Sequence, residues 1–170
     1  MAVEKKISEL TAKTTEIQPL DLLEVSEWNG ATYDTKSISG ENLILHKKVT
    51  LTAAQIKTAN SVPVSLIAAQ GAGKAIEVVS ALANFQYGTV AFDSGSTAFE
   101  LQINTAATHQ FLLSGILNGT ASVFAMMGVN SATTTQIVAN EPLNFVLTGA
   151  DATVGDSTMD LYINYRIITL

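Results

Sequence analysis

The chain has 170 residues, of which 47% are hydrophobic and 14% charged, with no cysteine and a formal net charge of −6 at pH 7. That length allows one domain with a sizeable core plus an appendage, and the acidic balance argues against a nucleic-acid partner. The lack of cysteine excludes disulfides and thiolate metal sites, and no apolar run approaches the roughly 20 residues of a membrane-spanning helix, so membrane insertion is not predicted.

Charged residues are concentrated near the N-terminus. Residues 1–48 hold 14 of the 24 charged residues, and residues 49–170 hold the other ten. A body so poor in charge cannot expose a whole surface of ordinary composition, so we expect part of it to contact another protein. The sequence therefore predicts an N-terminal attachment arm at residues 1–48 and a body at residues 49–170.

The arm has small groups of apolar residues and no sustained helical or strand period. Asn29-Gly30 is typical of a tight turn and predicts a hairpin between residues 22–28 and 31–38. Because its apolar surface is too small for a core, we expect the arm to order by docking on its own body, a sister subunit or a larger assembly. The candidate attachment residues are the apolar anchors of the arm and its lone tryptophan, namely Ile7, Leu10, Leu22, Leu23, Val25 and Trp28.

The body is expected to open with a short helix and an edge strand. Thr52 and Gln55 have the spacing of a capping box, which predicts a helix through about Thr58. Pro63 lies near the start of the apolar run at residues 62–67 and favours a sheet edge, because proline cannot donate a ladder hydrogen bond. A glycine-rich turn then precedes a β-branched segment at residues 75–87, which is interpreted as a central strand.

Short strands are predicted along the rest of the body, at residues 89–92, 98–104, 109–113, 121–127, 135–139, 143–148 and 159–168. In two of them, 98–104 and 159–168, apolar and polar residues alternate, which is typical of antiparallel sheets with one polar face. About eight or nine strands joined by small polar turns indicate an all-β fold. The predicted architecture is a jelly-roll-like antiparallel β-sandwich with an extended N-terminal arm and one short helix.

The glycine-rich turn at residues 71–74, Gly-Ala-Gly-Lys, superficially resembles a phosphate-binding loop. Ala68 and Ala75 stand where that loop needs a glycine and a hydroxyl residue, so the segment is interpreted as a hairpin turn with a solvated lysine. His46 and His109 lack the spacing of metal ligands. No nucleotide or histidine-based metal site is therefore predicted.

Three carboxylates, Asp151, Asp156 and Asp160, lie in or just after a glycine-containing turn. Oxygen ligands of this kind can hold calcium, but aspartate is also common in turns because its side chain bonds to nearby backbone. No Gly-x-Ser-x-Gly elbow or other catalytic arrangement is present. The sequence predicts no enzyme activity and no cofactor.

Two parts of the sequence resemble structural proteins of tailed bacteriophages. In the arm, Ile-Ser-Glu-Leu at residues 7–10 precedes Asp-Leu-Leu-Glu-Val at 21–25 and Thr-Lys-Ser-Ile at 35–38. This order is similar to an N-terminal module shared by many of those proteins, although Ser-Glu-Trp at residues 26–28 replaces its usual glycine-rich turn. The body, from residue 51 to the closing Tyr-Arg-Ile-Ile-Thr-Leu, is similar to β-rich phage virion proteins.

The resemblance implies a structural component of the virion, assembled in the host bacterial cytoplasm. The arm would dock on capsid or tail proteins, and the body would project as a homotrimer in a head fibre or capsid decoration. The alternative is a tail-fibre, baseplate or receptor-binding protein that recognises a host surface glycan through the loops at residues 94–97, 130–135 and 151–157. The family implies no catalytic residues.

Overall fold

The computed structural model describes residues 22–28, 30–40, 43–93, 98–103, 108–129 and 137–170. Within them the chain forms two antiparallel sheets, a separate hairpin and one short helix, which confirms the predicted all-β sandwich. The elements in chain order are β1 Leu22–Trp28, β2 Tyr33–Ser39, β3 Leu45–Leu51, α1 Ala53–Thr58, β4 Val64–Ile67, β5 Lys74–Gln86, β6 Ala98–Ile103, β7 Thr108–Ser114, β8 Val123–Met126, β9 Gly128–Val129, β10 Leu143–Leu147 and β11 Thr158–Thr169.

Local sequence signals account for the hairpin and the helix. β1 and β2 pair antiparallel from Leu22 opposite Ser39 to Trp28 opposite Tyr33, and Gly30 in their connection has a φ of +99°. At α1 the Thr52 hydroxyl accepts a hydrogen bond from the Gln55 backbone N–H, and the Gln55 side chain accepts one from the Thr52 backbone N–H. The predicted hairpin and capping box are both confirmed.

The sandwich consists of two sheets, each named here after one of its inner strands. The β11 sheet has the strand order β3-β11-β5-β8, and the β10 sheet has the order β4-β10-β6-β7-β9. β5 is a central strand and β4 an edge strand, as predicted. β4 and β5 lie in different sheets, however, so the turn at residues 71–74 connects the two sheets and is not a hairpin turn.

The core lies between the sheets and follows the alternation of the strands. On β11 the buried residues from Met159 to Ile167 alternate with residues on the outer face. From the β10 sheet, Phe99 and Phe145 are fully buried with ring centroids 5.2 Å apart. Burial of such side chains is the main favourable contribution to folding, roughly 1.5–3 kcal/mol for each fully buried one.

One domain boundary and two expected strands differ from the sequence expectation or are described only in part. The predicted division between the arm and the body falls inside β3, which begins at Leu45 and pairs with β11 over its whole length. Residues 89–92 form a connection without strand structure, although Phe92 is buried in the core. The expected strand at residues 135–139 lies partly outside the described residues, and Ala139 makes an isolated bridge with Ala75.

The antiparallel registers place four connections at one end of the sandwich, termed here the loop end: those between β3 and β4, β5 and β6, β7 and β8, and β10 and β11. Leu51, the last residue of β3, lies opposite Met159, whereas Leu45 lies opposite Tyr165. β3 therefore begins at the opposite end, where the Leu170 backbone N–H also bonds to the Gly73 carbonyl. The arm enters the body at the end remote from the loop end.

Candidate functional site

The loop end is held together by carboxylates that bridge different connections. The Asp151 carboxylate accepts hydrogen bonds from the backbone N–H groups of Asn60 and Ser61, at 3.0 and 2.9 Å, and from the Ser61 hydroxyl. These contacts join the connection after β10 to the connection after α1. Asn60 adds a bond from its amide to the Leu147 carbonyl, at 2.8 Å.

Two further carboxylates tie the connection after β10 to the one after β5. Asp156 accepts from the backbone N–H groups of Thr89 and Val90, each at 2.9 Å, and from the Thr89 hydroxyl at 2.5 Å. In the reverse direction Asp93 accepts from the Thr153 backbone N–H at 3.1 Å and from its hydroxyl at 2.6 Å. Three of the four connections are thus locked by charge-assisted hydrogen bonds, which are stronger than neutral ones.

These bonds lower the pKa of all three carboxyl groups below the ordinary value of 3.8. The largest cause is the hydroxyl hydrogen bond, from Ser61 to Asp151, from Thr89 to Asp156 and from Thr153 to Asp93, and the backbone N–H donors act in the same direction. A carboxylate that accepts several hydrogen bonds is stabilised in its charged form.

The lowered pKa values predict acid-sensitive stability. Because these groups bind protons less readily when folded, their contribution is fully present above the ordinary pKa of 3.8 and is lost as the pH falls through the lower folded pKa. We expect the urea midpoint to decrease below about pH 4, and to decrease less in an Asp156→Asn variant.

The matched control is Glu141→Gln, a carboxylate located near the start of β10 at the other end of the sandwich. The urea midpoint of this variant should decrease below about pH 4 by as much as that of the unmodified chain. An Asp156→Asn variant with an unchanged acid response would show that the loop-end carboxylates do not control the pH dependence.

The loop-end aspartates do not form the calcium site considered from the sequence. Asp151 and Asp156 bond to different connections, and Asp160 lies on the outer face of β11, where its carboxylate is 2.9 Å from the Lys48 ammonium. In the described ranges, no group of three His, Asp or Glu residues is placed to hold a metal ion. The carboxylates of the loop end therefore hold its connections in fixed positions relative to one another.

The outer face of the β11 sheet carries a group of large side chains, termed here the aromatic face and consisting of His46, Lys48, Leu82, Phe124, Met126 and Tyr162. Tyr162 lies at its centre. Its ring centroid is 6.2 Å from that of His46 and 6.1 Å from that of Phe124, and the Lys48 ammonium is 5.5 Å from the Tyr162 centroid. Aromatic pairs at such separations attract one another, as does a cation over a ring.

A polar network borders the aromatic face. Asp160, only 6% exposed, accepts hydrogen bonds from the Thr50 hydroxyl at 2.6 Å and the Gln86 amide at 3.3 Å, and it pairs with Lys48. These contacts, with the Thr50 hydroxyl first, lower the pKa of Asp160, and the hydrogen bond to Asp160 raises the pKa of Lys48. Nearby, the Asn164 amide donates to the Ser80 hydroxyl at 2.9 Å, and its oxygen lies 3.0 Å from His46 Nδ1.

The outer face of the β10 sheet is covered, in contrast to the aromatic face. Glu100, Gln102 and Asn144 are 6%, 8% and 7% exposed, and the Gln102 amide donates to the Glu100 carboxylate at 3.0 Å. The alternation in residues 98–104 predicts an antiparallel strand with one polar face, and β6 pairs antiparallel with both of its neighbours. Its polar residues Glu100 and Gln102 are nevertheless buried, as is every residue of β6.

The structure separates the residues singled out from the sequence. Of the attachment candidates, Leu22, Leu23 and Val25 occupy β1, opposite Ser39, Ile38 and Lys36 of β2 in that order, and Trp28 ends the strand with 56% of its surface exposed. Ile7 and Leu10 lie outside the described residues. His46 belongs to the aromatic face, and His109 stands opposite Gln102 in the register of β6 and β7.

Sequence reasoning missed Phe124 and Met126, which are 61% and 73% exposed. They occupy alternate positions of a short strand at the edge of its sheet, so both side chains point to the outer face. The available signal was a charge-free segment, residues 121–129, whose apolar residues occupy both alternating sets and therefore cannot all face one core.

Among the described residues, no helix is long and apolar enough to span a membrane. A scan against protein-family models, a search of curated proteins and a search of solved structures each found no match to the chain.

Proposed function

We propose that the chain is a structural component of a tailed-bacteriophage virion, in which the N-terminal arm docks on the particle and the body projects as a homotrimeric head fibre or capsid decoration. The observation that supports this proposal most is the position of the arm. Its hairpin, β1 and β2, precedes β3 and leads into the body at the end remote from the loop end. A particle bound through the arm would leave the braced loops pointing outward.

The sequence resemblance gives the arm its proposed partner. The residues of the attachment module continue through Val25 and Ile38, which belong to the paired strands β1 and β2. The module thus includes a folded hairpin that precedes the body in the chain, as expected of a docking element. We place the docking surface on this hairpin and the preceding residues.

We further propose that the body is a jelly roll. Its pairs are nested: β3 pairs with β11, β4 with β10, β5 with β8, and β6 with β7. A single long hairpin that is rolled up produces this nesting, and the added pairs of β11 with β5 and β10 with β6 close the two sheets. Jelly rolls of this kind are common in viral capsid and lectin domains.

The alternative is a tail-fibre, baseplate or receptor-binding protein that recognises a host glycan. The braced loop end favours it, because rigid loops on a β-sandwich are a usual place for binding residues. Of the three loops considered from the sequence, residues 151–157 lie at this end, and residues 94–97 and 130–135 lie outside the described residues. A glycan array probed with the intact chain tests the alternative, and it is rejected by an absence of hits.

Deletion of residues 1–43 tests the proposed role of the arm. The cut precedes β3, so we expect the remaining body to fold and self-associate but to be absent from purified particles. Incorporation is measured by mass spectrometry of particles, and folding by circular dichroism. The control is the full chain carrying the same C-terminal tag.

Two results would contradict the proposal. If the truncated body enters particles as well as the full chain does, the arm is not the docking element. If the truncated body fails to fold, the arm is part of the core and the division into an arm and a body is wrong.

A further inference from the structure

β8 is an exposed apolar edge. It is the last strand of the β11 sheet and, in the described part of the chain, pairs with β5 alone. Its Val123, Phe124 and Met126 side chains are 36%, 61% and 73% exposed. Residues 121–129 include no charged residue and no proline, the residues that commonly protect an edge from pairing. Such an edge is a template for contact with another chain.

The edge continues onto the aromatic face without interruption. In register, Met126 lies opposite Leu82 and Leu82 lies opposite Tyr162. Phe124 leans toward Tyr162, with ring centroids 6.1 Å apart. The strip crosses three strands, a width of about 10 Å at the usual strand spacing. Aromatic residues and methionine are enriched at the centres of protein interfaces.

The charge balance of this face permits contact with a second copy of an acidic chain. The chain has a net charge of −6, and three of its carboxylates lie at the loop end, so contact between the loop ends of two copies is unfavourable. On the outer face of the β11 sheet the charges cancel in pairs, Lys48 with Asp160 and Arg166 with Glu77. Contact here places no uncompensated like charges opposite each other.

The other broad surface of the sandwich is not open to such contact. The outer face of the β10 sheet is already covered at Glu100, Gln102 and Asn144, none of them more than 8% exposed. Of the two outer sheet faces in the described residues, the aromatic face is therefore the one that presents large exposed apolar side chains.

We infer that the aromatic face is the surface through which copies of this chain associate, with the β8 edge of one copy packed on the Tyr162 region of the next. β8 lies at one edge of the aromatic face and Tyr162 on an inner strand, so the contact joins two different parts of that face. Head-to-tail contacts of this kind form a ring when the rotation between copies closes and an open filament when it does not, and a trimer is the closed case. The number of copies, three, is taken from the proposed function, on which this inference therefore rests. The surface that joins the copies is new.

Sedimentation velocity of the full chain at micromolar concentration tests the inference. The unmodified chain should sediment as a trimer, and Phe124→Asp and Met126→Asp should each raise the dissociation constant at least about thirtyfold, as loss of an interface hot spot does. Both side chains are largely exposed, so folding should be retained, and either variant suffices if the other fails to fold. The control is Val62→Asp, a loop residue 62% exposed, which should remain a trimer.

Three outcomes would overturn the inference: an unmodified chain that is monomeric, a trimer insensitive to both β8 substitutions, or a dimer joined through β8. Each is distinguishable from failure of the proposed function. A monomeric chain that still enters particles rejects the self-association surface and the homotrimer but leaves the virion role of the arm standing. A trimer that depends on β8 but never enters particles rejects only the virion role.

Discussion

Replacement of Gly155 by alanine is expected to lower the free energy of unfolding by at least about 3 kcal/mol, from backbone strain and overpacking together. Gly155 has a φ of +123°, a region that residues with a Cβ rarely adopt. A Cβ there would also overlap the ring of Phe92, which is 2% exposed and part of the core. The chain cannot relieve the overlap without moving a buried ring or opening the loop end.

Gly73→Ala is the matched control for this variant, and urea denaturation followed by circular dichroism is the measurement. Gly73 has a φ of +71°, but a Cβ there would meet no atom within 4 Å. Its cost should be that of the backbone alone, about 1–2 kcal/mol. If both variants lose the same stability, the contact between Gly155 and Phe92 does not restrict the loop end.

Truncation of Phe145 to alanine is expected to cost about 3–5 kcal/mol, the range for large side chains removed from a packed core. Phe145 is fully buried on the inner strand β10 and packs against Phe99 across the β10–β6 pair. Since small domains have about 5–15 kcal/mol of stability in total, the variant should be close to unfolding.

Thermal and urea denaturation of Phe145→Ala give the loss, and Val62→Ala serves as the control. Val62 is 62% exposed in a loop, so its truncation should change stability by no more than about 0.5 kcal/mol. A Phe145→Ala variant as stable as the control would contradict the position of the core between the two sheets.

Much of the secondary structure could be predicted because its causes are local. The Thr52 and Gln55 side chains bond within one turn of chain, and the alternation in residues 159–168 is set by the two faces of a strand. The turn signal in the sequence at residues 29–30 likewise predicts the pairing of the two segments beside it. These signals required no knowledge of distant residues, and the structure confirms each of them.

The arrangement of the strands and the candidate surfaces depends on distant partners and could not be read locally. The turn at residues 71–74 looks like a hairpin, but β4 pairs with β10 and β5 with β11, more than 70 residues further along the chain. The burial of Glu100 likewise could not be predicted from its own strand, because it depends on the residues that pack on the outer face of the β10 sheet. Asp156 could be considered as a calcium ligand from the sequence because the hydrogen bonds that occupy its carboxylate come from Thr89 and Val90, which are remote in sequence.

Cryo-electron microscopy of intact particles assembled with the full chain is the most direct test of the proposed virion role. The proposal predicts density for β-sandwich bodies on the particle in groups of three, with the arm against the surface and the loop end pointing outward. Particles that lack the chain, or that carry it with the loop end against the surface, would contradict it.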